Sequence, residues 1–238
     1  MPNPYFQFKQ FRIDQSGAAM KVGTDGVLLG AWANLDGAEK RILDIGTGTG
    51  LIALMAAQRC PLAGIDAVEI DETAARQAEE NIKISPWPYR IEVYPVPMQD
   101  FIREDTMPYD HILSNPPFFA DSLKAPDGLR AAARHTDTLS FEELASSVSS
   151  LLAPAGLFSV IYPVDEAGTF QEIAEKNGLF CNRRTWVRGT PDKPFKRILL
   201  EFSRRKHLLT EDELTIESAR HEYTPEYIAL TRDFYLKF

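Results

Sequence analysis

Four consecutive residues, Asn115-Pro116-Pro117-Phe118, offer the clearest chemistry in the sequence. They follow a short run, residues 109–114 (YDHILS), that predicts a strand, so they should lie where that strand ends. The two prolines fix two φ angles and remove two backbone donors, which predicts a stiff turn with unpaired carbonyl oxygens. The Asn115 side-chain oxygen and the Pro116 carbonyl could both accept hydrogen bonds from one planar NH₂ group, and Phe118 would stack on the ring that carries it.

Two acceptors on one aromatic amine would change the reactivity of that amine. Its nitrogen lone pair is normally delocalised into the ring, which makes the group a poor nucleophile. Hydrogen bonds from both N–H groups favour a pyramidal nitrogen whose lone pair points outward, as attack on an activated methyl group requires. The tetrapeptide alone is equally compatible with a simple turn, so its function depends on the rest of the chain.

The composition restricts the class of protein. The chain has 238 residues, 44% of them apolar and 25% charged, which is ordinary for a globular protein with a buried sheet and helices on both faces. No apolar run approaches the roughly 20 residues that span a bilayer, and the first residues lack a signal-peptide pattern, so we expect a cytoplasmic protein. Two cysteines without CxxC spacing and four scattered histidines indicate neither a disulfide framework nor a metal site. We expect a monomer without membrane or metal partners.

The glycine-rich segment from Gly46 to Gly50 indicates the fold class. A short apolar run, residues 41–45 (RILDI), leads into Gly46, Gly48 and Gly50 and then into a helical pattern. This order of strand, glycine turn and helix opens a doubly wound α/β fold, in which the glycines let the backbone approach a ligand at the carboxyl end of the strand. The spacing GxGxG after Asp44 differs from the dinucleotide motif GxGxxG, and no Gly-Lys-Ser/Thr of a P-loop follows.

Acidic residues follow the next two predicted strands. Glu69 lies at the end of a strand predicted over residues 63–70, about 20 positions after the glycine turn, where α/β folds bind the hydroxyls of a ribose. Asp71 is predicted to cap the following helix. Asp100 follows a strand predicted over residues 91–96; it could accept a hydrogen bond from the adenine amine of a bound cofactor, or cap a helix.

The first 35 residues precede this pattern. Apolar residues alternate along residues 5–13 (YFQFKQFRI), which predicts a pair of strands. A segment with Lys21, Thr24 and Asp25 then leads into a helical run; either Thr24 or Asp25 caps that helix, or the segment folds over a ligand. We expect this N-terminal part, residues 1–35, to form one compact unit with an α/β domain of residues 36–238.

Positive charge is concentrated in two places, although the formal net charge is −8. Residues 119–139 predict a polar loop whose Lys124, Arg130, Arg134 and His135 suit contact with an anionic polymer or a solvated surface equally. Residues 180–188 and 195–203 predict an antiparallel hairpin. Within residues 181–207, nine Lys or Arg minus two acidic residues give a local charge of +7, to which Arg183, Arg184 and Lys196 contribute.

The remaining pattern continues the alternation of helices and strands. Helices are predicted over residues 140–152, with Ser140 as the cap, and over residues 166–177, ending at Gly178. A strand is predicted between them at residues 157–162. The last 30 residues predict two helical pieces.

In chain order, Asp44 with the three glycines, Glu69, Asp100 and the Asn115 to Phe118 turn resemble the motif series of class I S-adenosylmethionine-dependent methyltransferases. More narrowly, the chain is similar to the bacterial tRNA adenine N6-methyltransferases that modify the adenosine 3′ of the anticodon in valine tRNA. The similar stretches are FKQFRIDQSGAAMKVGTDGVLLGAWA, NPPFFADSLKAPDGLRAAARH and YTPEYIALTRDFYLKF.

The resemblance implies a doubly wound, Rossmann-like α/β fold with a seven-stranded, mostly parallel sheet whose last strand is antiparallel. It implies S-adenosylmethionine as the cofactor and tRNA as the partner. Asp44, Gly46, Gly48 and Gly50 would line the cofactor, Glu69 would hold its ribose, Asp100 would face its adenine, and the segment with Lys21, Thr24 and Asp25 would close over its methionine end. The target adenine would leave its stack, and the loop and the basic hairpin would hold the surrounding phosphates.

Three other functions use the same features. A protein glutamine N5-methyltransferase would present the same acceptors to a side-chain amide, but those enzymes usually carry Tyr at the Phe118 position and a helical N-terminal domain. A DNA adenine N6-methyltransferase would require a target-recognition domain, and no such insertion is visible. A non-catalytic RNA-binding module could keep the fold, and the intact acidic and Asn-Pro-Pro-Phe positions argue against it.

Overall fold

A computed structural model describes residues 3–16, 21–103, 106–117 and 139–238. Five residues singled out in the sequence lie outside this described part: Phe118, Lys124, Arg130, Arg134 and His135. The predicted polar loop falls there as well, apart from Leu139.

Two short strands begin the chain, as the alternating pattern predicts. β1 (Tyr5–Gln7) pairs antiparallel with β2 (Arg12–Asp14) to form a separate hairpin. The aromatic and aliphatic side chains of this hairpin, Phe8, Phe11 and Ile13, are buried in one of the two cores. The N-terminal hairpin is therefore packed against the main body of the protein.

A sheet of eight strands forms the centre of the described structure. The strands are β3 (Arg41–Ile45), β4 (Gly64–Val68), β5 (Ile91–Tyr94), β6 (Tyr109–Ser114), β7 (Leu152–Pro163), β8 (Phe180–Arg188), β9 (Arg197–Ser203) and β10 (Thr210–Thr215). Their order is β10-β8-β9-β7-β6-β3-β4-β5. Only β9 runs antiparallel to its neighbours. The predicted mostly parallel sheet with its antiparallel seventh strand is confirmed, and β10 adds an eighth strand at the edge.

Helices cover both faces of the sheet. They are α1 (Thr24–Trp32), α2 (Leu51–Arg59), α3 (Glu72–Lys83), α4 (Met98–Phe101), α5 (Phe141–Leu151), α6 (Val164–Lys176) and α7 (Pro225–Thr231). Successive strand residues point to opposite faces, so Ile161 joins the core with α1 and α2, whereas Val160 joins the core with α5 and α6. Strands buried on both faces explain the continuous apolar runs in the sequence.

The predicted helix caps define three of the boundaries. Asp71 accepts a hydrogen bond from the amide of Ala74 at 2.7 Å and begins α3. Ser140 and Glu143 form a capping box at the start of α5. Gly178 lies two residues after α6 with φ of 76°, the left-handed conformation that ends a helix. These three predictions are confirmed.

The C-terminal prediction of two helical pieces is wrong for its first half. Residues 210–215 form β10 instead, and β11 (Glu217–Ala219) pairs antiparallel with β12 (Glu222–Tyr223) before α7 begins. β10 lies parallel to β8, where Glu211 pairs with Arg184 at 2.5 Å and Glu213 pairs with Arg188 at 3.4 Å. A polar edge strand has no strong period of its own; β10 takes its conformation from backbone pairing with β8, and these cross-strand ion pairs add to that pairing.

Two arginines hold the carboxyl ends of α1 and α2. Arg59 donates to the carbonyls of Gly30, Ala31 and Leu35 at the end of α1. Arg90 donates to three carbonyls at and beyond the end of α2, those of Ala57, Cys60 and Ala63. Cations at helix carboxyl ends satisfy the last carbonyls and complement the helix dipole. Both helices are thereby fixed relative to the sheet.

Candidate active site

Three parallel strands end side by side at one edge of the sheet. Ile45, the last residue of β3, lies between Val68 of β4 and Ser114 of β6. The Ser114 hydroxyl donates to the Ile45 carbonyl at 2.9 Å and ties the two strand ends together. The next residues along these strands are Gly46, Glu69 and Asn115, so the predicted motifs meet at the edge where α/β sheets bind ligands.

The glycine turn between β3 and α2 leaves open space above its backbone. Gly46 and Gly48 have φ of 72° and 57°, in the left-handed region that favours glycine. A Cβ added to either residue would meet no atom within 4 Å. The amides of Gly46 and Thr47 both donate to the Val68 carbonyl, which fixes the turn against β4. The turn is thus a rigid, open cradle.

Asp44 lies beneath this turn and is fully buried. Its Oδ2 accepts from the Thr47 hydroxyl at 2.6 Å and from the Ala53 amide at 3.1 Å. Its Oδ1 is buried without a hydrogen-bond partner among the described residues. Burial raises the pKa of Asp44 to about 7, against the opposing effect of the Thr47 hydrogen bond. A buried carboxylate with a free oxygen is suited to accept from a cationic ligand group.

Glu69 and Asp100 follow β4 and β5. Glu69 Oε2 accepts from the Gly48 amide at 2.8 Å and Oε1 accepts from the Asp71 amide at 3.0 Å, so its carboxylate bridges the glycine turn and the start of α3. Asp100 lies exposed in α4. The alternative that Asp100 caps a helix is wrong, because Pro97 occupies the cap position of α4.

The turn after β6 places Asn115 at the same edge. Asn115 Oδ1 is buried and has no hydrogen-bond partner in the described part of the chain. Its Nδ2 lies 3.9 Å from the position of a Cβ built on Gly26, in the first turn of α1. Every peptide bond that the structure describes is trans, so the bonds preceding Pro116 and Pro117 are trans as well. Pro116 is buried and Pro117 is exposed.

The structure contradicts one of the two alternatives predicted for the segment before α1, the helix cap. Gly23 occupies the cap position of α1, and Thr24 and Asp25 lie inside the first turn. The prediction that Thr24 or Asp25 caps this helix is therefore wrong. Lys21 is exposed, and the Val22 amide donates to Gln15 Oε1 at 2.9 Å. Asp25 Oδ2 accepts from Arg197 Nε at 2.7 Å.

The basic hairpin of β8 and β9 has internal partners for much of its charge. Arg183 lies 3.0 Å from Glu201 and 3.7 Å above the Trp32 ring. Arg184 pairs with Glu211 of β10. Lys196 is exposed and directly precedes β9. This end of the hairpin lies at the same edge of the sheet as the glycine turn. The local charge of +7 is therefore partly neutralised by β10, which the sequence prediction assigned to a helix.

Three residues that shape this edge were missed in the sequence: Gln15, Asn81 and Arg197. Asn81 has no exposed surface and donates to the Thr49 carbonyl of the glycine turn at 2.9 Å. The signal for Asn81 was present, because it lies on the apolar face of α3 between Ala78 and Ile82. For Arg197 the only sequence signal was its membership of the basic hairpin.

Comparison with known proteins identifies the family. The family model described as Methyltransferase small domain matches residues 18–135. A tRNA1(Val) (adenine(37)-N6)-methyltransferase of Bacteroides fragilis is 53% identical over 241 residues, covering 100% of both chains. One of Trichodesmium erythraeum is 52% identical over 98% of both chains. This chain belongs to the family of tRNA1(Val) (adenine(37)-N6)-methyltransferases. The family resemblance expected from the sequence is confirmed.

Solved structures share the fold. A crystal structure from Agrobacterium tumefaciens, named as a predicted O-methyltransferase, matches with a TM-score of 0.67 at 22% identity and covers 88% of this chain and 96% of its own. The methyltransferase subunit of a type I restriction-modification system from Streptococcus thermophilus matches with a TM-score of 0.63 at 12% identity, over 90% of this chain and 52% of its own. These likenesses confirm the Rossmann-like α/β fold predicted for the family.

Two features are absent from the described residues. Within them, no group of three or more His, Cys, Asp or Glu side chains is placed to hold a metal ion. Likewise, none of the helices given above is both long and apolar enough to cross a membrane.

Proposed function

We propose that this protein transfers a methyl group from S-adenosylmethionine to the exocyclic N6 of an adenosine in tRNA, adenosine 37 of valine tRNA. The observation that carries the proposal is the buried Asn115 Oδ1, which has no partner among the described residues. Asn115 directly follows Ser114, the strand end that pairs with Ile45 just before the glycine turn. A buried acceptor without a donor is costly unless a ligand supplies one. Full-length relatives about half identical to this chain carry the name of this activity, which supports the choice of substrate.

The residues at this edge of the sheet fit S-adenosylmethionine in chemistry. Asp44 Oδ1 is a second buried acceptor without a described partner and would accept from the ammonium group. The open backbone at Gly46 and Gly48 would receive the cofactor, as the sequence predicts. Glu69 has lone pairs beyond its two backbone hydrogen bonds and would accept from the ribose hydroxyls.

The outer parts of the cofactor site have different roles in this proposal. Asp100 would face the adenine, and Lys21 and Thr24 would border the methionine end, as expected from the family. Asp25 would contribute through the position of α1, because its carboxylate already accepts from Arg197.

Asn115 and Pro116 would align the substrate amine. When bound, S-adenosylmethionine supplies a methyl group made electrophilic by its sulfonium. Asn115 Oδ1 and the Pro116 carbonyl would each accept one N–H of the adenine amine, which would point the nitrogen lone pair outward. Asn115 is a neutral amide that holds the hydrogen bond without removing the proton, so its contribution is alignment. Phe118 would stack on the adenine after that base leaves its neighbours.

Lys193 and Lys196 are the proposed phosphate contacts of the hairpin. Lys193 is mostly exposed and lies 3.6 Å from the exposed Asp192, and Lys196 is exposed on the edge of the site. Phosphate binding requires cations that can exchange water and counterions for RNA. Arg183 and Arg184 would mainly hold the hairpin to its neighbours, given their internal partners. Lys124, Arg130, Arg134 and His135 remain proposed contacts from the loop.

Methylation of two transcripts tests this function. Purified protein is incubated with labelled S-adenosylmethionine and valine tRNA carrying either adenosine or guanosine at position 37. We expect incorporation only into the adenosine transcript, recovered as N6-methyladenosine after nucleoside digestion. Equal incorporation into both transcripts would contradict the assigned position, and incorporation into protein or DNA but not into tRNA would contradict the substrate class.

A further inference from the structure

Asn81 is a polar side chain in an apolar environment. It has no exposed surface and lies on the face of α3 that also buries Ala75, Ala78 and Ile82. Burial of an amide is unfavourable unless its donors and acceptor are satisfied. An amide at this position therefore needs an explanation that packing alone does not give.

The hydrogen bonds of Asn81 connect two distant segments. Its Oδ1 accepts from the Asp14 amide at 2.8 Å, and its Nδ2 donates to the Asp14 carbonyl at 3.0 Å. The same Nδ2 donates to the Thr49 carbonyl at 2.9 Å. Asp14 ends β2 of the N-terminal hairpin, whereas Thr49 lies between the last two glycines of the glycine turn. Asn81 thus fixes the glycine turn to the hairpin.

Contacts around the turn make this link stiff. Gly50 caps α2 at φ of 83°, and a Cβ on it would lie 3.4 Å from Ala78 of α3, one helical turn before Asn81. The Gly50 amide donates back to the Thr47 carbonyl at 2.9 Å. With the Thr49 carbonyl held by Asn81, the peptide between Thr49 and Gly50 is held from both sides.

Gln15 makes the matching link to the segment before α1. It follows Asp14 directly and is 8% exposed. Its Oε1 accepts from the Val22 amide at 2.9 Å, two residues before α1 begins, and its Nε2 donates to the Asn3 carbonyl at 3.2 Å. The backbone amide of Gln15 donates to the Pro4 carbonyl at 2.8 Å. The segment before α1 is thereby anchored to the same end of the hairpin.

We propose that Asn81 and Gln15 are positioning residues that hold the glycine turn and the segment before α1 at a fixed separation, with the end of β2 as their common support. Neither residue touches the reacting atoms. The inference rests on the proposed function, because the two segments border the proposed S-adenosylmethionine cleft. It gives the N-terminal hairpin a role in cofactor affinity rather than in RNA contact.

The test measures the Kd of S-adenosylmethionine by calorimetry and the KM of valine tRNA for Asn81→Ala and Gln15→Ala in the full-length protein. We expect the Kd of S-adenosylmethionine to rise about tenfold in each variant, with the KM of tRNA within about twofold of the original. Gln15→Ala removes a peripheral anchor, so it remains informative if Asn81→Ala fails to fold.

Asn182→Ala is the matched control. Asn182 also makes three hydrogen bonds with its side chain, to Ser203, Arg205 and His207, near the opposite edge of the sheet. We expect Asn182→Ala to lose thermal stability as Asn81→Ala and Gln15→Ala do, but without a change in the Kd of S-adenosylmethionine. The inference is overturned if folded Gln15→Ala binds the cofactor as the original protein does, or if Asn182→Ala weakens binding equally. Failure of the original protein to bind S-adenosylmethionine would instead overturn the proposed function.

Discussion

Arg197, the first residue of β9, donates from its Nε to Asp25 Oδ2 in the first turn of α1 over 2.7 Å. Both side chains are about three-quarters buried, with 29% and 24% exposed. The next residue, Gly26, faces the amide of Asn115. The ion pair therefore joins the basic hairpin to the helix that lies next to the Asn115 side-chain amide. Asp25 also carries a favourable negative charge at a helix N-terminus.

Removal of this ion pair should destabilise the protein. Asp25→Asn and Arg197→Gln are each expected to lower the free energy of unfolding by about 1–2 kcal/mol, because each removes a charge-assisted hydrogen bond between two partly buried side chains. The double variant should lose less than the sum of the two single losses. Urea unfolding of the three variants measures this coupling, and strictly additive losses would show that the two side chains do not stabilise each other.

Gly48→Ala should weaken binding of S-adenosylmethionine. An L-residue at φ of 57° costs about 1–2 kcal/mol, and the new Cβ would enter the open space above the turn. We expect the Kd to rise at least about tenfold by calorimetry. Gly168→Ala is the control, because its Cβ meets no atom within 4 Å in α6 and alanine favours a helix. If Gly48→Ala binds S-adenosylmethionine with an unchanged Kd, the glycine turn is not part of the cofactor site.

Stability should depend on pH through Asp44. Burial raises the pKa of Asp44 to about 7 in the folded protein, whereas an unfolded aspartate titrates near about 4. Between these values the folded state binds more protons, so Asp44 lowers the free energy of unfolding as pH rises from about 4 to about 7. Burial lowers the pKa of His111 to about 3, which has the opposite effect below about pH 6.5.

Comparison with Asp44→Asn isolates the aspartate, because His111 is common to both proteins. Relative to the original protein, Asp44→Asn should become progressively more stable between pH 5 and pH 7 in urea unfolding without cofactor, at about 1.4 kcal/mol per pH unit as an upper limit. Parallel stability curves for the two proteins would show that Asp44 titrates normally.

The exposed lysines of the hairpin should determine part of the salt dependence of tRNA binding. Replacement of both Lys193 and Lys196 by alanine is expected to reduce the slope of log Kd against log salt by about 2, one for each lost phosphate contact. Arg184→Ala should leave the slope nearly unchanged, because Arg184 is paired with Glu211. Filter-binding titrations measure these slopes. If Arg184→Ala reduces the slope more than the double lysine variant does, the RNA-binding surface lies on β8 instead.

The parts of the site that could be predicted are those with local signals. Strand, glycine turn and helix occur together in the sequence around Gly46, and β6 ends at Ser114, where the prolines predict the end of the strand. Asp71 and Ser140 were predictable as caps because a cap depends on residues three positions away.

The parts that could not be predicted depend on distant residues. β10 is acidic and lacks an apolar period, and it forms a strand by pairing with β8, where its glutamates meet Arg184 and Arg188. The same holds for Asp25, whose partner Arg197 lies far along the chain. No local sequence pattern indicates which of several surface arginines will form an ion pair with such a carboxylate.

The most direct measurement is a comparison of cofactor binding and single-turnover methylation in Asn115→Ala. The alanine removes the buried Oδ1 and leaves the glycine turn, Asp44 and Glu69 intact. We predict a Kd for S-adenosylmethionine within about threefold of the original and a methyl-transfer rate lower by about 100-fold or more, the usual cost of one lost acceptor or donor in an active site. Transfer to valine tRNA at the original rate would contradict the alignment of the adenine amine by Asn115.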